Sequence, residues 1–418
     1  MFVWVRINME GGNLEELRNI DSWLKSQDAR HEIPCASTLP DPTFLSEGRP
    51  YVSFSTNNYL GLATSKRLID KARQGLEQYG VANCESRLLG GDLEIYRALE
   101  AKLATLKRKE SSVLFATGYL TNLGVLSALV KSSQLARLYG FKPQRHYSYT
   151  FFSDVYNHIS IREGIRMSGA DSISYRHNDL NHLESKLKAS VDRYKIIVSD
   201  GVFSQDGDIA PLPGLIELAE RYDATLYIDD AHGTGVLGEH GGGVSEHFNA
   251  YNPRLIQMGT LSKAYGAIGG FVATENYIAE ILKMSCSAFG FTSTLPPDQV
   301  FAVSEAIDMS RDEPERRQRL WDNQRYFVGK VEKLGYRLIS KLTPIIPVLI
   351  GDERECDRFA RVLKDEGFHV DAVKFPAVGI KQSRLRFIMN ANHTQAQIDK
   401  LVDVLATLAE TANIAVES

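Results

Sequence analysis

Seven short strand-like runs, separated by helical patterns, dominate the chain between residues 112 and 274. One intervening segment carries Leu215, Leu218 and Tyr222 at i, i+3 and i+7, the spacing of one helix face. This alternation predicts an α/β fold with a mostly parallel sheet covered by helices on both faces, in which ligands bind at the carboxyl ends of the strands. The runs span 112–117, 147–154, 172–177, 195–201, 225–232, 254–261 and 269–274.

The pattern changes after Pro297. Long charged helical segments follow, then strand-like runs at 343–351 and 384–391, and finally a helix that opens with the capping pair Thr394 and Gln397. We therefore predict a smaller C-terminal α+β domain. The expected organisation is an N-terminal segment at 1–50, a large domain at 51–297 and a small domain at 298–418.

Charge and cysteine content argue against several classes of partner. Lys and Arg total 48 against 52 Asp and Glu, so the net charge of −4 provides no global attraction for nucleic acid or an anionic membrane. Residues 1–12 lack a basic n-region and a cleavage site, and no uncharged run is long enough to span a bilayer. The cysteines lack metal-ligand spacing, so we expect free thiols, no disulfide, no metal and a cytoplasmic protein. They are Cys35, Cys84, Cys286 and Cys356.

One glycine motif fits a dinucleotide site only in part. GTGVLG, residues 233–238, follows a strand-like run and matches the pattern GxGxxG. However, EHGGGVSEHF follows where a long helix should begin, and the next strand-like run leads to Thr260 where a ribose-binding acid is expected. We therefore do not expect a dinucleotide cofactor.

Lys263 stands among small and hydroxyl residues in GTLSKAYGAIGG, residues 259–270, directly after a strand-like run. An amine with a lowered pKa can form a Schiff base with an aldehyde cofactor, and small neighbours leave room for a flat ring. Pyridoxal 5'-phosphate (PLP) is the obvious aldehyde. Its pyridine nitrogen stays protonated beside a fixed carboxylate, which Asp229 can supply, while His232 can reach its phenolic oxygen.

The same sheet edge offers groups for the rest of this cofactor. Thr117, Gly118 and Tyr119 lie where a strand-like run gives way to a helix, so their backbone N–H groups can bind the phosphate. Thr260 can add a hydroxyl, and His158 follows a strand end from which it can stack on the ring. Each residue alone is more often a cap, a turn or a solvated side chain. Their joint occurrence at successive strand ends favours a PLP site.

From about residue 50 onward the chain resembles the α-oxoamine synthases. These are PLP enzymes with the aspartate-aminotransferase fold (fold type I), so the resemblance implies a mostly parallel, seven-stranded sheet and a smaller C-terminal α+β domain. The matching segments are NNYLGL (57–62), SRLLGG (86–91), NHISIREGIRMS (157–168), RHNDLNHLE (176–184), GVFSQDGDIAPLPGL (201–215), DDAHGTGVLG (229–238), GTLSKAYGAIGG (259–270), FTSTLPP (291–297) and RLRFIMNANHT (384–394).

The resemblance implies catalytic roles for four residues. Lys263 would hold the cofactor and move the α-proton of the substrate. Asp229 would pair with the pyridine nitrogen, and His232 would contact the ring oxygen. His158 would stack on the ring.

It also implies further contacts. Arg384 would grip the carboxylate of the amino acid, although Arg386 points to the same face of the strand. Asn57 would line the substrate site, and Ser204 would lie near the cofactor. The remaining matches, Thr292 and Ser293, would reach the cofactor phosphate of a neighbouring subunit, so we expect a homodimer with shared active sites.

The implied reaction joins an amino acid to the acyl group of a thioester, from acyl-CoA or an acyl-carrier protein, and yields an α-aminoketone, a free thiol and CO2. VANCE at 81–85 replaces a glycine-rich run, and Tyr96 stands where a histidine is common, so the substrates stay open. Glu85 can face a polar group of the substrate, although an exposed carboxylate is the commoner case. Two alternatives are another PLP enzyme of this fold, such as an aminotransferase, and a non-catalytic subunit of a heterodimer.

Overall fold

The computed structural model describes residues 13–26, 35–191 and 193–412. The stretch 1–12, for which the sequence predicts no leader, lies outside the described residues. The helices are α1 (Asn13–Ser26), α2 (Lys66–Tyr79), α3 (Glu94–Leu106), α4 (Gly118–Leu138), α5 (Ile159–Ser168), α6 (Leu180–Ala189), α7 (Leu212–Arg221), α8 (Val244–His247), α9 (Asn276–Ser285), α10 (Ser287–Gly290), α11 (Pro297–Asp312), α12 (Pro314–Lys333), α13 (Glu353–Asp365) and α14 (Gln395–Ala412). The strands are β1 (Thr43–Ser46), β2 (Arg49–Ser53), β3 (Ser111–Phe115), β4 (Ser148–Asp154), β5 (Asp171–Tyr175), β6 (Arg193–Asp200), β7 (Ala224–Asp229), β8 (Leu255–Thr260), β9 (Gly270–Thr274), β10 (Ile345–Gly351), β11 (Phe368–His369), β12 (Asp371–Val373) and β13 (Ser383–Ile388).

The seven runs predicted from the sequence all form strands of one sheet, in the order β3-β9-β8-β7-β6-β4-β5. β9 runs antiparallel to both of its neighbours, and the other neighbouring pairs are parallel. The predicted mostly parallel, seven-stranded sheet is therefore confirmed. Parallel pairing brings the carboxyl ends of β4, β6, β7 and β8 to one edge. The last residues of these strands are Asp154, Asp200, Asp229 and Thr260.

Helices cover both faces of this sheet because its central strands are apolar on both sides. Ile197 and Leu226 pack in one core with residues of α7, whereas their chain neighbours Val198 and Tyr227 pack in a second core with residues of α4, α5 and α9. Successive side chains of a strand point to opposite faces. Near-continuous apolar runs are therefore what a sheet covered on both faces requires.

The C-terminal part of the chain contains two small sheets. β13 pairs antiparallel with β10 and β12, and β11 pairs in parallel with β2 of the β1–β2 hairpin. The hairpin at residues 43–53 is therefore joined to the C-terminal part of the chain through β2. The domain boundaries at residues 50 and 297 stay a prediction.

The last helix begins with the predicted capping pair. The backbone N–H of Thr394 donates to Gln397 Oε1 over 2.9 Å, and the backbone N–H of Gln397 donates to Thr394 Oγ1 over 3.2 Å. Each side chain thus satisfies a backbone donor that the first helical turn leaves open. Across the described ranges, no helix is both long and apolar enough to cross a membrane.

The GTGVLG segment forms tight turns beside the loop that carries Lys263. Gly235 adopts a φ of +82°, a region that favours glycine. A Cβ at this position would lie 2.6 Å from Ala264 Cβ, so the glycine permits close packing. The next helix, α8, has only four residues. The segment therefore lacks the long helix that a dinucleotide site needs.

Candidate active site

A cavity of about 260 Å³ lies at the carboxyl edge of the sheet. It is lined from the ends of several strands, from the first turn of α4 and from the loop after β8. This is where ligands bind in parallel α/β sheets. Nine of the predicted site residues line it: Thr117, Gly118, Tyr119, His158, Ser204, Asp229, His232, Thr260 and Lys263. Other lining residues are Asn122, Ser160, Asp200, Val202, Ala231, Met258 and Ser262.

Lys263 and His232 are in direct contact, with Lys263 Nζ 2.8 Å from His232 Nε2. Burial lowers the pKa of Lys263 to about 8, although the charge of Asp229 acts in the opposite direction. Burial and the lysine charge hold the pKa of His232 well below its ordinary value, so this imidazole is neutral. The site thus holds an amine that is ready to act near neutral pH.

Tyr59, which was not among the predicted site residues, completes this arrangement. Its hydroxyl lies 2.7 Å from His232 Nδ1, and the side chain is buried. Burial also raises the pKa of Tyr59, so the hydroxyl keeps its proton. Tyr59 therefore orients the histidine that contacts Lys263. The available signal was its place in the segment NNYLGL.

Asp229 accepts a hydrogen bond at each of its two carboxylate oxygens. Its Oδ2 accepts from Asn122 Nδ2 over 2.6 Å, and its Oδ1 accepts from the backbone N–H of Ala231 over 3.1 Å. Asn122 is itself fixed, because the hydroxyl of Tyr227 donates to its Oδ1 over 2.7 Å. Asn122 and the backbone of Ala231 thus hold the buried carboxylate of Asp229 in a fixed orientation.

Asp200 lies beside Asp229, since the two residues pair across β6 and β7. Burial raises the pKa of Asp200 well above its ordinary value, and the charge of Asp229 adds to this effect. Two adjacent buried carboxyl groups do not both ionise. Asp200 is therefore the protonated member of the pair at neutral pH. Sequence reasoning missed both Asp200 and Asn122; the signal for Asp200 was its place at the end of the run KIIVSDG.

The N-terminus of α4 also lines the cavity. Thr117 caps this helix, and its Oγ1 accepts from the backbone N–H of Leu120 over 3.1 Å. Thr260 Oγ1 donates to Gly269 O over 3.0 Å and lies 2.9 Å from Ser262 Oγ. Open backbone N–H groups and nearby hydroxyls at a helix start suit a phosphate.

His158 occupies the turn after β4, at the start of α5. Its backbone N–H donates to Asp200 Oδ2 over 3.0 Å, and its Nδ1 lies 2.7 Å from Ser160 Oγ. Partial burial lowers the pKa of His158, so the ring is neutral. Tyr119 meets it edge-on, with the ring centroids 6.4 Å apart. The backbone and Nδ1 are thus held in place, while the ring lines the cavity.

The two arginines of β13 differ in their contacts. Arg384 forms an ion pair with Asp206 and donates to Gln382 O, so it is already engaged. Arg386 donates to Ser204 O over 2.5 Å and forms an ion pair with Asp371 over 3.4 Å, and its charge lowers the pKa of both Lys263 and His232. Residues two apart on a strand share a face, so the sequence pattern does not separate the two arginines, and the carboxylate-binding role of Arg384 stays a prediction.

Arg384 and four further predicted residues do not line the cavity of a single chain. Asn57 is half-buried, and its Oδ1 is buried without a hydrogen-bond partner in the described part of the chain. Glu85 is exposed on the loop before α3. Thr292 and Ser293 lie between α10 and α11, where they are at least partly accessible. Their roles stay predictions.

A close approach of two glycines sets the position of the first turn of α4. A Cβ at Gly270 would lie 2.7 Å from the N and Cα atoms of Gly118, and backbone atoms cannot move aside cheaply. We expect Gly270→Ala to destabilise the protein by about 1–3 kcal/mol through overpacking and to weaken cofactor binding. Urea unfolding and titration of the apoprotein with cofactor measure the two effects.

Gly329→Ala is the matched control. Gly329 lies within α12, and a Cβ added there meets nothing within 4 Å. Alanine should therefore stabilise the protein by roughly 0.5–1 kcal/mol, because glycine is the poorer helix former. An unchanged unfolding midpoint for Gly270→Ala would contradict the proposed close packing.

Comparisons with known proteins agree with the geometry of the site. The family described as "Aminotransferase class I and II" matches residues 49–405. The chain is 38% identical to the 8-amino-7-oxononanoate synthase of Alkaliphilus oremlandii, covering 94% of this chain and 96% of that protein. It is 37% identical to 8-amino-7-oxononanoate synthase 1 of Bacillus subtilis, covering 93% and 95%.

Solved structures show the same likeness. Serine palmitoyltransferase from S. paucimobilis, solved with bound PLP, superposes with a TM-score of 0.87 at 25% identity and covers 97% of this chain and all of that one. The 8-amino-7-oxononanoate synthase of Francisella tularensis gives a TM-score of 0.72 at 26% identity over 87% and 99% of the two chains. The resemblance seen in the sequence is thereby confirmed. The chain belongs to the class I and II aminotransferase family and, within it, to the α-oxoamine synthases, PLP-dependent acyltransferases that condense an amino acid with an acyl thioester.

Proposed function

We propose that Lys263, Asp229, His232 and His158 form the catalytic centre of this synthase. PLP supplies an electron sink for the α-carbon of the substrate when it is bound. The observation that carries the assignment is the contact of Lys263, which is buried and has a pKa of about 8, with neutral His232 at the same edge as Asp229.

The residues present fit this cofactor. Asp229 is a buried carboxylate whose two hydrogen-bond donors, Asn122 and Ala231, are neutral, and no cation in the described ranges lies within salt-bridge distance of it. A protonated pyridine nitrogen is the partner that such a carboxylate lacks. The first turn of α4 supplies N–H groups for the phosphate in the same cavity.

Lys263 would also serve as the group that moves protons at the α-carbon. A base works best when its pKa lies near the working pH, and burial brings the pKa of Lys263 close to it. His232 Nε2 lies 2.8 Å from the amine, a contact that orients the amine in the cavity. Tyr59 fixes the histidine from the opposite side. His158 would cover one face of the cofactor ring.

Substrate contacts are assigned by position. Arg386 suits the carboxylate of the amino acid because it lies close enough to affect Lys263 electrostatically, and Arg384 would support it from the same face of β13. The unpartnered Oδ1 of Asn57 is available for a substrate donor. Ser204 would lie beside the cofactor. Glu85 is retained as a candidate contact for a polar part of the substrate.

The names of the sequence relatives suggest the substrates. In 8-amino-7-oxononanoate, the amine-bearing C8 and the terminal methyl carbon correspond to alanine without its carboxylate, and the other seven carbons correspond to a heptanedioyl group. We therefore infer L-alanine and a heptanedioyl thioester as substrates, with CoA or a carrier protein as the thiol. The products are the α-aminoketone, the thiol and CO2.

A homodimer would complete the site. Thr292 and Ser293 lie outside the cavity of their own chain on an accessible loop, a place from which they can reach a second copy. Thr292 and Ser293 would then contribute hydroxyls to the partner's phosphate site. We also propose a cytoplasmic enzyme, because the exposed free thiols of Cys35 and Cys84 are typical of a reducing compartment.

A substrate screen tests this function. The PLP-loaded protein is incubated with alanine, glycine or serine and with a heptanedioyl or palmitoyl thioester, and thiol release is followed with a thiol reagent. We expect alanine with the heptanedioyl thioester to react fastest. Faster reaction of serine with the palmitoyl thioester would overturn the substrates but not the reaction class.

A further inference from the structure

The segment RHND, residues 176–179, has no role in the site described above, yet it holds a charged cluster beside that site. His177 Nδ1 lies 3.2 Å from Asp154 Oδ1, and its Nε2 lies 2.8 Å from Asp208 Oδ2. Tyr156 stacks on the imidazole, with the ring centroids 4.4 Å apart and an interplanar angle of 24°. Phe203 meets the imidazole edge-on at 4.4 Å. His177 thus contacts two aspartates and packs against two aromatic rings.

Asp154 and Asp208 each belong to a loop that reaches the cavity and form hydrogen bonds within it. Asp154 ends β4, and its Oδ1 also accepts from the backbone N–H of Tyr156 over 2.8 Å, which fixes the turn that leads to His158. Asp208 closes the segment 202–209, in which its backbone O accepts from the N–H of Phe203 over 3.0 Å. That segment carries Ser204 into the cavity. His177 therefore ties the loop of His158 to the loop of Ser204.

The segment 202–209 also holds both arginines of β13. Ser204 O accepts from Arg386 Nε over 2.5 Å, and Asp206 forms the ion pair with Arg384. A shift of this segment would therefore move the arginines relative to Lys263. Catalytic geometry is sensitive to displacements of about 1 Å.

The charge of the cluster persists at neutral pH. Burial alone would lower the pKa of His177, but hydrogen bonds and charges from Asp154 and Asp208 outweigh it and raise the pKa to about 10. The imidazolium donates from both ring nitrogens, which a neutral imidazole cannot do. Asn178 adds an uncharged hydrogen bond to the cluster, because its Nδ2 donates to Asp208 Oδ2 over 2.6 Å.

We propose that His177 is a positioning residue whose two ion pairs lock segment 202–209 against the turn that carries His158, and so place Arg386 for the carboxylate of the amino acid. This inference rests on the proposed function of Arg386. The effect should appear in amino-acid binding. A merely stabilising ion pair would change the unfolding temperature and leave that affinity alone.

The test uses the PLP-loaded protein and two variants. His177→Ala removes both ion pairs, and Asp208→Asn removes one charge with almost no change of shape. Binding is measured from the change in the visible spectrum during titration with alanine, glycine and serine, using the amino acid that the unmodified protein binds most tightly. We expect the Kd for that amino acid to rise at least tenfold in His177→Ala and at least threefold in Asp208→Asn, with the cofactor Kd changed less than threefold.

His182→Ala is the matched control. His182 lies five residues further along the chain. The one hydrogen bond found for its ring in the described part of the chain is from the backbone N–H of Arg176 to its Nδ1. Its amino-acid Kd should stay within twofold of the unmodified protein. An unchanged amino-acid Kd in His177→Ala, or in Asp208→Asn if the alanine variant does not fold, would overturn the inference. Failure of the unmodified protein to bind any of the three amino acids would instead overturn the proposed function.

Discussion

Replacing Lys263 with alanine abolishes covalent capture of the cofactor and lowers the rate of condensation by about 10³-fold or more. Two functions disappear together, because Lys263 both holds the cofactor aldehyde and moves protons at the α-carbon in the proposed site. His232 cannot replace it, since the low pKa of His232 makes the imidazole a weak base and its Nδ1 is held by Tyr59.

Mass spectrometry after borohydride reduction measures the first effect. The unmodified protein should gain the mass of one reduced cofactor on the peptide that contains Lys263, and the alanine variant should gain none. Lys109→Ala is the control, because burial also lowers the pKa of Lys109 but its amine is bonded to Glu275 over 2.8 Å. Its adduct should be unchanged. An adduct on another lysine in Lys263→Ala would contradict the assignment.

Replacing Asp229 with asparagine lowers kcat by about 10²-fold or more, the order of loss seen when a preorganised charged group is removed from an active site. The asparagine keeps the shape and part of the hydrogen bonding to Asn122, but it removes the charge that keeps a pyridine nitrogen protonated. The electron sink is therefore weakened while the cofactor can still bind.

Asp200→Asn, at the neighbouring carboxyl group, is the control that separates the loss of a charge from a change of side-chain shape. Burial and the charge of Asp229 raise the pKa of Asp200, so this carboxyl group is already neutral at pH 7 and asparagine resembles it closely. We expect its kcat to fall less than about tenfold. Steady-state kinetics and the pH dependence of the visible spectrum distinguish the two variants. An equal loss in both would show that the carboxylate roles have been misassigned.

The central sheet could be predicted because each strand carries its own signal. β4, β6 and β7 are apolar on both faces and end in an aspartate, so both the strands and their carboxyl ends are visible in the sequence. Pairing between distant segments is not visible in the same way. The parallel pairing of β2 with β11 places Val52 opposite Phe368, and no local sequence pattern predicts this pairing.

Part of the site could be predicted in the same way, from the positions of the strand ends in the sheet. Lys263, Asp229 and His158 lie near one another because the carboxyl ends of parallel strands meet at one edge. Asn122 was missed because it lies inside α4, 107 residues from Asp229, and only the packing of the helix on the sheet brings them together. Arg384 and Arg386 could not be separated from spacing, because the ion pair with Asp206 depends on another loop.

The most direct test of the whole assignment is a simultaneous measurement of thiol and CO2. The PLP-loaded protein is given the amino acid and the acyl thioester identified in the substrate screen, and both products are quantified over time. The account predicts equal amounts of thiol and CO2, with neither formed beyond background when one substrate is left out. Conversion of the amino acid to its keto acid without thiol release from any thioester would contradict it.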